Sequence, residues 1–123
     1  MKVISTLEAP AAIGPYSQAI VHGDMMFLSG QIPVDPKTGL IPETVEEQAA
    51  QSLTNIRNIL KENDMSMSNV IKTTVFLSDL EDFAAVNAVY AEHFQEPFPA
   101  RSCVQVAAIP KGCKLEIECI AVK

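Results

Sequence analysis

Thr44-Val45-Glu46-Glu47-Gln48-Ala49-Ala50-Gln51-Ser52-Leu53-Thr54-Asn55-Ile56-Arg57-Asn58-Ile59-Leu60 decides the architecture, because start signal, period and length all agree there. Thr44 followed three residues later by Glu47 reads as a capping box, in which each side chain accepts from a backbone N–H that the first helical turn leaves without a partner. Val45, Ala49, Leu53, Ile56 and Leu60 then recur at spacings of four, four, three and four, with Glu46, Gln51, Asn58 and Lys61 off the stripe. The pattern predicts an amphipathic helix to about Asn63, and such a helix must lay its apolar stripe on another element.

The flanking residues supply strands. Upstream, Lys2 to Leu7 reads as a strand, Glu8 to Pro15 as a loop, and Tyr16 to His22 with Met25 to Gly30 as a hairpin turning at Gly23-Asp24, where glycine provides the positive φ a tight turn needs. Gln31 to Pro42 carries three prolines and reads as a structured loop. Downstream, Asn69 to Leu77 is β-branched and apolar enough for a central strand, and the helix between makes a crossover that permits parallel pairing of its neighbours. Ser78 with Glu81 repeats the capping-box pattern, and Leu80, Phe83, Val86, Tyr90 and Phe94 predict a second helix ending before Pro97. Asn87 lies inside that apolar stripe, so its amide must find partners in the interior or a cleft.

The last two strands span Ala100 to Ala108 and Lys114 to Val122. In the final one Leu115, Ile117, Cys119 and Ala121 form the helix-packed set, and Glu116, Glu118, Ile120 and Val122 take the other face. With no repeat or linker, residues 1–123 make one domain of the α+β class: a single layer of about six mixed strands with two helices on one face. Arg101, Gln105, Glu116 and Glu118, mixed with Ile120 and Val122, are expected on the uncovered face, a mixture suited to a homo-oligomer interface with a wet pocket.

The chemistry centres on Phe98-Pro99-Ala100-Arg101-Ser102-Cys103-Val104-Gln105-Val106. A guanidinium cannot give up its charge, so on a half-buried strand it meets a carboxylate, a carbonyl cluster or an anionic ligand. Glu116 and Glu118 are the carboxylates at hand. They serve either as salt-bridge partners of Arg101 or as proton-transfer groups beside an arginine that holds an anionic substrate. Cys103 reads either as a thiol activated by Arg101 or as a small strand hydrophobe. Cys103, Cys113 and Cys119 show no CxxC spacing and are expected free. His22 and His93 stand singly, without metal-ligand spacing, and no glycine-rich phosphate cradle occurs. Fifteen acidic against nine scattered basic residues, a net charge of -6, argue against a nucleic-acid partner. Apolar runs are too short for a bilayer, and without a secretory signal at the N-terminus the expected location is cytoplasmic.

Ala11-Ala12-Ile13-Gly14-Pro15-Tyr16-Ser17-Gln18, Ser29-Gly30-Gln31-Ile32-Pro33, Lys72-Thr73-Thr74-Val75-Phe76-Leu77, Pro99-Ala100-Arg101-Ser102-Cys103-Val104 and Glu116-Ile117-Glu118 occur in this order. On these segments the whole chain resembles the Rid family of reactive intermediate deaminases, and specifically its RidA branch. The resemblance implies a homotrimer of chorismate-mutase-like subunits with sites in the clefts between them. It implies cofactor-free hydrolysis of 2-imino acids such as 2-iminopropanoate and 2-iminobutanoate, intermediates released by pyridoxal-phosphate dehydratases, to 2-keto acids and ammonia. It also implies that Arg101 holds the substrate carboxylate, that Glu116 acts on water and relays a proton, and that Tyr16, Ser29, Gly30, Asn87 and Cys103 line the pocket. Gln105, where many relatives have Glu, and a short Gln95 to Phe98 connection depart from the pattern beside the pocket, and Cys113 and Cys119 replace residues more often aliphatic. Two alternatives stay open: a non-catalytic binder of small 2-keto or other carboxylic acids, and a ribonuclease or translation inhibitor, against which the acidic balance weighs.

Overall fold

A computed structural model describes residues 1–123 as one mixed sheet of six strands and two α-helices. β1 (Lys2–Ile4), β2 (Ala19–His22) and β3 (Met25–Gln31) form a meander; α1 (Val45–Lys61) leads to β4 (Val70–Leu77), α2 (Phe83–His93) leads to β5 (Ala100–Gln105), and β6 (Leu115–Val122) ends the chain. The order across the sheet is β1-β2-β3-β6-β4-β5, every pair antiparallel except β4 with β5. Both helices pack into one core, where Leu53, Ile56, Ile59 and Leu60 of α1 meet Leu115, Ile117 and Ala121 of β6, all fully buried. Each of the leucine and isoleucine side chains among them contributes about 1.5–3 kcal/mol by leaving water.

The α1 crossover does not produce the adjacent parallel pair. It carries the chain from β3 to β4, and β6 inserts between them, antiparallel to both. The parallel neighbours are β4 and β5, joined through α2. A crossover sets the direction of the next strand and not its neighbour, so a later strand is free to fill the gap.

Several element ends also differ from the sequence expectation, each for a local polar reason. β1 stops at Ile4 and β2 starts only at Ala19, because buried Gln18 ties the intervening loop: its Oε1 accepts from the Thr6 N–H at 2.7 Å and its Nε2 donates to the Pro10 carbonyl at 2.8 Å. At α1, Thr44 Oγ1 accepts from the Glu47 N–H at 3.1 Å, but the Glu47 carboxylate accepts the Thr44 hydroxyl at 2.8 Å, so only half of the reciprocal box forms. Ser78 caps nothing. Asp79 Oδ1 accepts from the Glu81 N–H at 2.9 Å, closing a 3₁₀ turn over Leu80–Asp82 ahead of α2.

The opposite face of the sheet has no layer over it. In register across four strands lie Val3, Ile20, Phe27 and Ile120, with Val3 60% and Phe27 43% exposed. Such a continuous apolar row is unusual on a surface that meets only water.

Candidate active site

β5 is an edge strand whose only neighbour is β4, and this fixes where Arg101 points. Arg101 is level with Thr73 and Cys103 with Val75, both of which are fully buried toward the helices. Glu116 is level with Phe76 and Glu118 with Thr74, on the face where Lys72 Nζ donates to Ser102 Oγ at 3.1 Å. Arg101 and Cys103 therefore lie on the helix side, and Glu116 and Glu118 on the open side. This corrects the expectation that Arg101, Gln105, Glu116 and Glu118 share one face. Alternation tells which residues of one strand share a face, but the match between two strands depends on which strand lies between them. The salt bridge of Arg101 with Glu116 or Glu118 is absent; the one ion pair in the chain is Lys37 with Glu8, at 3.8 Å on the surface. Gln105 instead accepts the Leu80 N–H at 2.9 Å, tying β5 to the turn before α2.

On the helix side, Arg101 Nη1 donates to Asn87 Oδ1 at 2.7 Å. Because the guanidinium only donates, the Asn87 oxygen must face it and the amide NH₂ stays available. The Arg101 carbon Cζ lies 4.9 Å from the centre of the Tyr90 ring and 5.5 Å from that of Phe83. One of five N–H donors is used, and the side chain borders a hollow of about 310 Å³ formed with Asn87, Tyr90, Ala91, Phe98 and Pro99. Cys103, two residues along, packs against the core. Burial pushes its thiol up from the ordinary value, outweighing the pull of Arg101 in the other direction. This weighs against the activated-thiol reading, because a nucleophilic cysteine needs the opposite shift.

The open-side group is built on a bulge. Leu28 faces Cys119 and Gln31 faces Ile117, so Ser29 and Gly30 together occupy the space of one residue opposite Glu118. Ser29 is fixed twice, its N–H donating to the Gln18 carbonyl at 2.9 Å and its hydroxyl to the Ser17 carbonyl at 2.6 Å. Gly30 is thereby pressed onto Glu116: a Cβ at this position would overlap Oε1 and lie 2.9 Å from the carboxyl carbon. Burial, then the neighbouring Glu118 charge, raises the Glu116 carboxyl above its ordinary value of 4.5. Gly30 also borders a second hollow, of about 270 Å³, with Tyr16, Ile13, Ile32 and Lys111.

The structure thus gathers the residues singled out in the sequence into two groups, Asn87, Arg101 and Cys103 on one face and Ser29, Gly30 and Glu116 on the other, with Tyr16 joined to the second through the hollow it lines with Gly30. The rings of Phe83 and Tyr90 on Arg101 were missed as site residues, because their helical spacing reads as core stripe. No three His, Cys, Asp or Glu side chains gather in a set that could hold a metal ion.

Residues 6–123 match the endoribonuclease L-PSP family. The chain is 54% identical to the 2-iminobutanoate/2-iminopropanoate deaminase of Escherichia coli K12, over 99% of this chain and 98% of that protein. It is also 54% identical to the Bos taurus protein of the same name, over 99% and 90%. Among solved structures, E. coli TdcF with bound serine superposes with a TM-score of 0.95 at 53% identity, covering 100% of this chain and 99% of that one. RidA from an Antarctic Psychrobacter superposes at 0.97 with 44% identity, covering 100% of both chains. The chain belongs to the endoribonuclease L-PSP family, the family of the reactive intermediate deaminases that its sequence resembles.

Proposed function

We propose that this protein hydrolyses 2-imino acids and their enamine tautomers, 2-iminopropanoate and 2-iminobutanoate among them, to 2-keto acids and ammonia. We further propose that it acts as a homotrimer in which each site joins the Arg101 face of one subunit to the Glu116 face of the next. The observation that carries this reading is the division itself. A guanidinium with a free fork and no carboxylate partner lies on one face, and a carboxyl with a raised pKa lies on the other, beside an uncovered apolar row. The high identity to proteins named for this reaction supports the same chemistry.

In this reaction Arg101 receives the substrate carboxylate on two N–H groups and so sets the position of the imine carbon. Glu116 takes a proton from water as the water oxygen bonds to that carbon, the C=N π pair moves to nitrogen, and the carboxyl hands the proton to that nitrogen, giving a carbinolamine. The same carboxylate then takes the carbinolamine hydroxyl proton and passes it to nitrogen as the C=O bond forms and the C–N bond breaks, so ammonia and the 2-keto acid leave and Glu116 is ionised again. A carboxyl held above its ordinary value suits both steps better than an unperturbed one. Tyr16, Ser29, Gly30, Asn87 and Cys103 form walls, with Cys103 taking no covalent part.

Subunit mixing tests this reading directly. Arg101→Ala and Glu116→Gln are each inactive alone, but a trimer containing both has one interface where an intact Arg101 meets an intact Glu116. Random equal mixing places such an interface at about one site in four, so co-expression restores about a quarter of wild-type turnover of 2-iminobutanoate generated in the cuvette. Mixed trimers identified by native mass spectrometry that remain inactive would remove the shared site.

A further inference from the structure

Three residues of α2, Phe83, Asn87 and Tyr90, stand at i, i+4 and i+7, so they share one helix face, and all three touch the same guanidinium. The two aromatic members differ in burial. Phe83 is 41% exposed and Tyr90 6%, so the first ring adds little to the core even though it lies over Arg101. Tyr90 is held from behind: its hydroxyl and Thr73 Oγ1 are 2.8 Å apart, and Thr73 is fully buried on β4 level with Arg101 itself. β5, α2 and β4 thus close a loop through Arg101, the Tyr90 ring and Thr73.

We propose that the Phe83-Asn87-Tyr90 stripe is a positioning cradle that sets the plane of the Arg101 guanidinium for a carboxylate ligand without neutralising it. The proposal rests on the reading of Arg101 as the carboxylate-binding group. Its physical logic is that every holder is uncharged. A glutamate or aspartate in the place of Asn87 would fix the fork equally well, but it would compete with an anionic substrate for the same donors. An amide oxygen and two ring faces attract the cation through partial charges and leave its full charge for the incoming carboxylate. The two rings therefore act only through Arg101, while Asn87 holds the guanidinium by its oxygen and keeps its NH₂ toward the pocket.

The test uses Phe83→Leu, Tyr90→Leu and Tyr90→Phe in the full protein. Binding of 2-oxobutanoate is measured by calorimetry, and kcat and KM for 2-iminobutanoate are measured beside it. Phe83→Leu and Tyr90→Leu are expected to weaken binding and raise KM by about three- to thirtyfold, the span of one cation–π contact. Tyr90→Phe keeps the ring and stays within about threefold of wild type. In an Arg101→Lys background the two leucine variants add less than about twofold, because the group they position has gone; a purely structural role predicts the full loss again. If Tyr90→Leu fails to fold, Phe83→Leu decides alone, its ring being at the surface. Wild-type binding in Phe83→Leu, with binding lost in Arg101→Lys, would overturn the cradle and leave the carboxylate reading intact. Wild-type binding in Arg101→Lys would overturn that underlying reading.

Discussion

Gly30→Ala separates the placement of the Glu116 carboxyl from the stability of the fold. The Gly30 backbone has no positive φ, so alanine is not strained there, and the atoms nearest the added methyl all belong to the end of the Glu116 side chain. Returning the carboxyl carbon from 2.9 Å to an ordinary contact of roughly 3.5–4.0 Å moves it by about 0.6–1.1 Å. Turning a glutamate out of its preferred rotamer costs about 0.5–1.5 kcal/mol, and the stiffer unfolded chain of the alanine variant offsets about 0.4–1 kcal/mol of that. The two nearly cancel, so the melting temperature should stay within about 5 °C of wild type. Catalysis has no such compensation, because a displacement of about 1 Å in a proton-transfer group can cost on the order of a hundredfold. Turnover of 2-iminobutanoate should therefore fall by about a hundredfold with folding retained, measured by circular dichroism and a coupled assay on one preparation. Adding Glu116→Gln should then cause little further loss. Wild-type turnover in Gly30→Ala, or a full second loss in the double variant, would refute the pairing of Gly30 with a catalytic Glu116.

Arg101→Lys keeps the charge but loses the planar fork, and should lower kcat/KM by at least about a hundredfold while circular dichroism stays unchanged. Near-wild-type activity would place the carboxylate elsewhere. Cys103→Ser should retain most turnover, because water is the proposed nucleophile and burial raises the thiol pKa rather than lowering it; complete loss in a folded variant would restore a covalent mechanism. Glu116 titrates above 4.5 when folded, so between the unfolded and folded values the native state binds the extra proton and stability falls as pH rises. Glu116→Gln should therefore melt higher than wild type at pH 7, with the difference vanishing near pH 4. An equal difference at both pH values would show that the carboxyl is not strained by ionisation.

The sequence made the helices, the hairpin and the inner face of β6 legible, because each rests on a local period that one segment carries by itself. Leu53, Ile56 and Leu60 are buried as their spacing requires, and Leu115, Ile117, Cys119 and Ala121 alternate with Glu116, Glu118, Ile120 and Val122 as expected. What it could not show was the insertion of β6 between β3 and β4. That placement is decided by contacts far apart in the chain, and so is the register of β5 on β4, which turns Arg101 to the helix side while Glu116 stays on the open side. Asn87 was legible as a polar residue in an apolar stripe, and it does find Arg101. Phe83 and Tyr90 were not, since an aromatic residue over a guanidinium and one in a core have the same period. Gly30 was reachable only through the resemblance, because its requirement comes from the Glu116 side chain and not from its own backbone.

The proposed two-faced site would also avoid an electrostatic problem that a one-faced site would carry. With Arg101 beside Glu116 in the same subunit, the guanidinium would lower the carboxyl pKa and occupy its own donors at once, leaving a weak proton relay and a blocked carboxylate site. Held on the helix side by neutral groups, Arg101 keeps four of its five N–H donors, while burial and Glu118 hold Glu116 above its ordinary value. In the proposed trimer the two groups meet only across a subunit boundary, and there the substrate carboxylate takes the guanidinium before it can quench the glutamate. The ligand's own charge would then help keep Glu116 in the range where it can both accept a proton from water and return it to nitrogen.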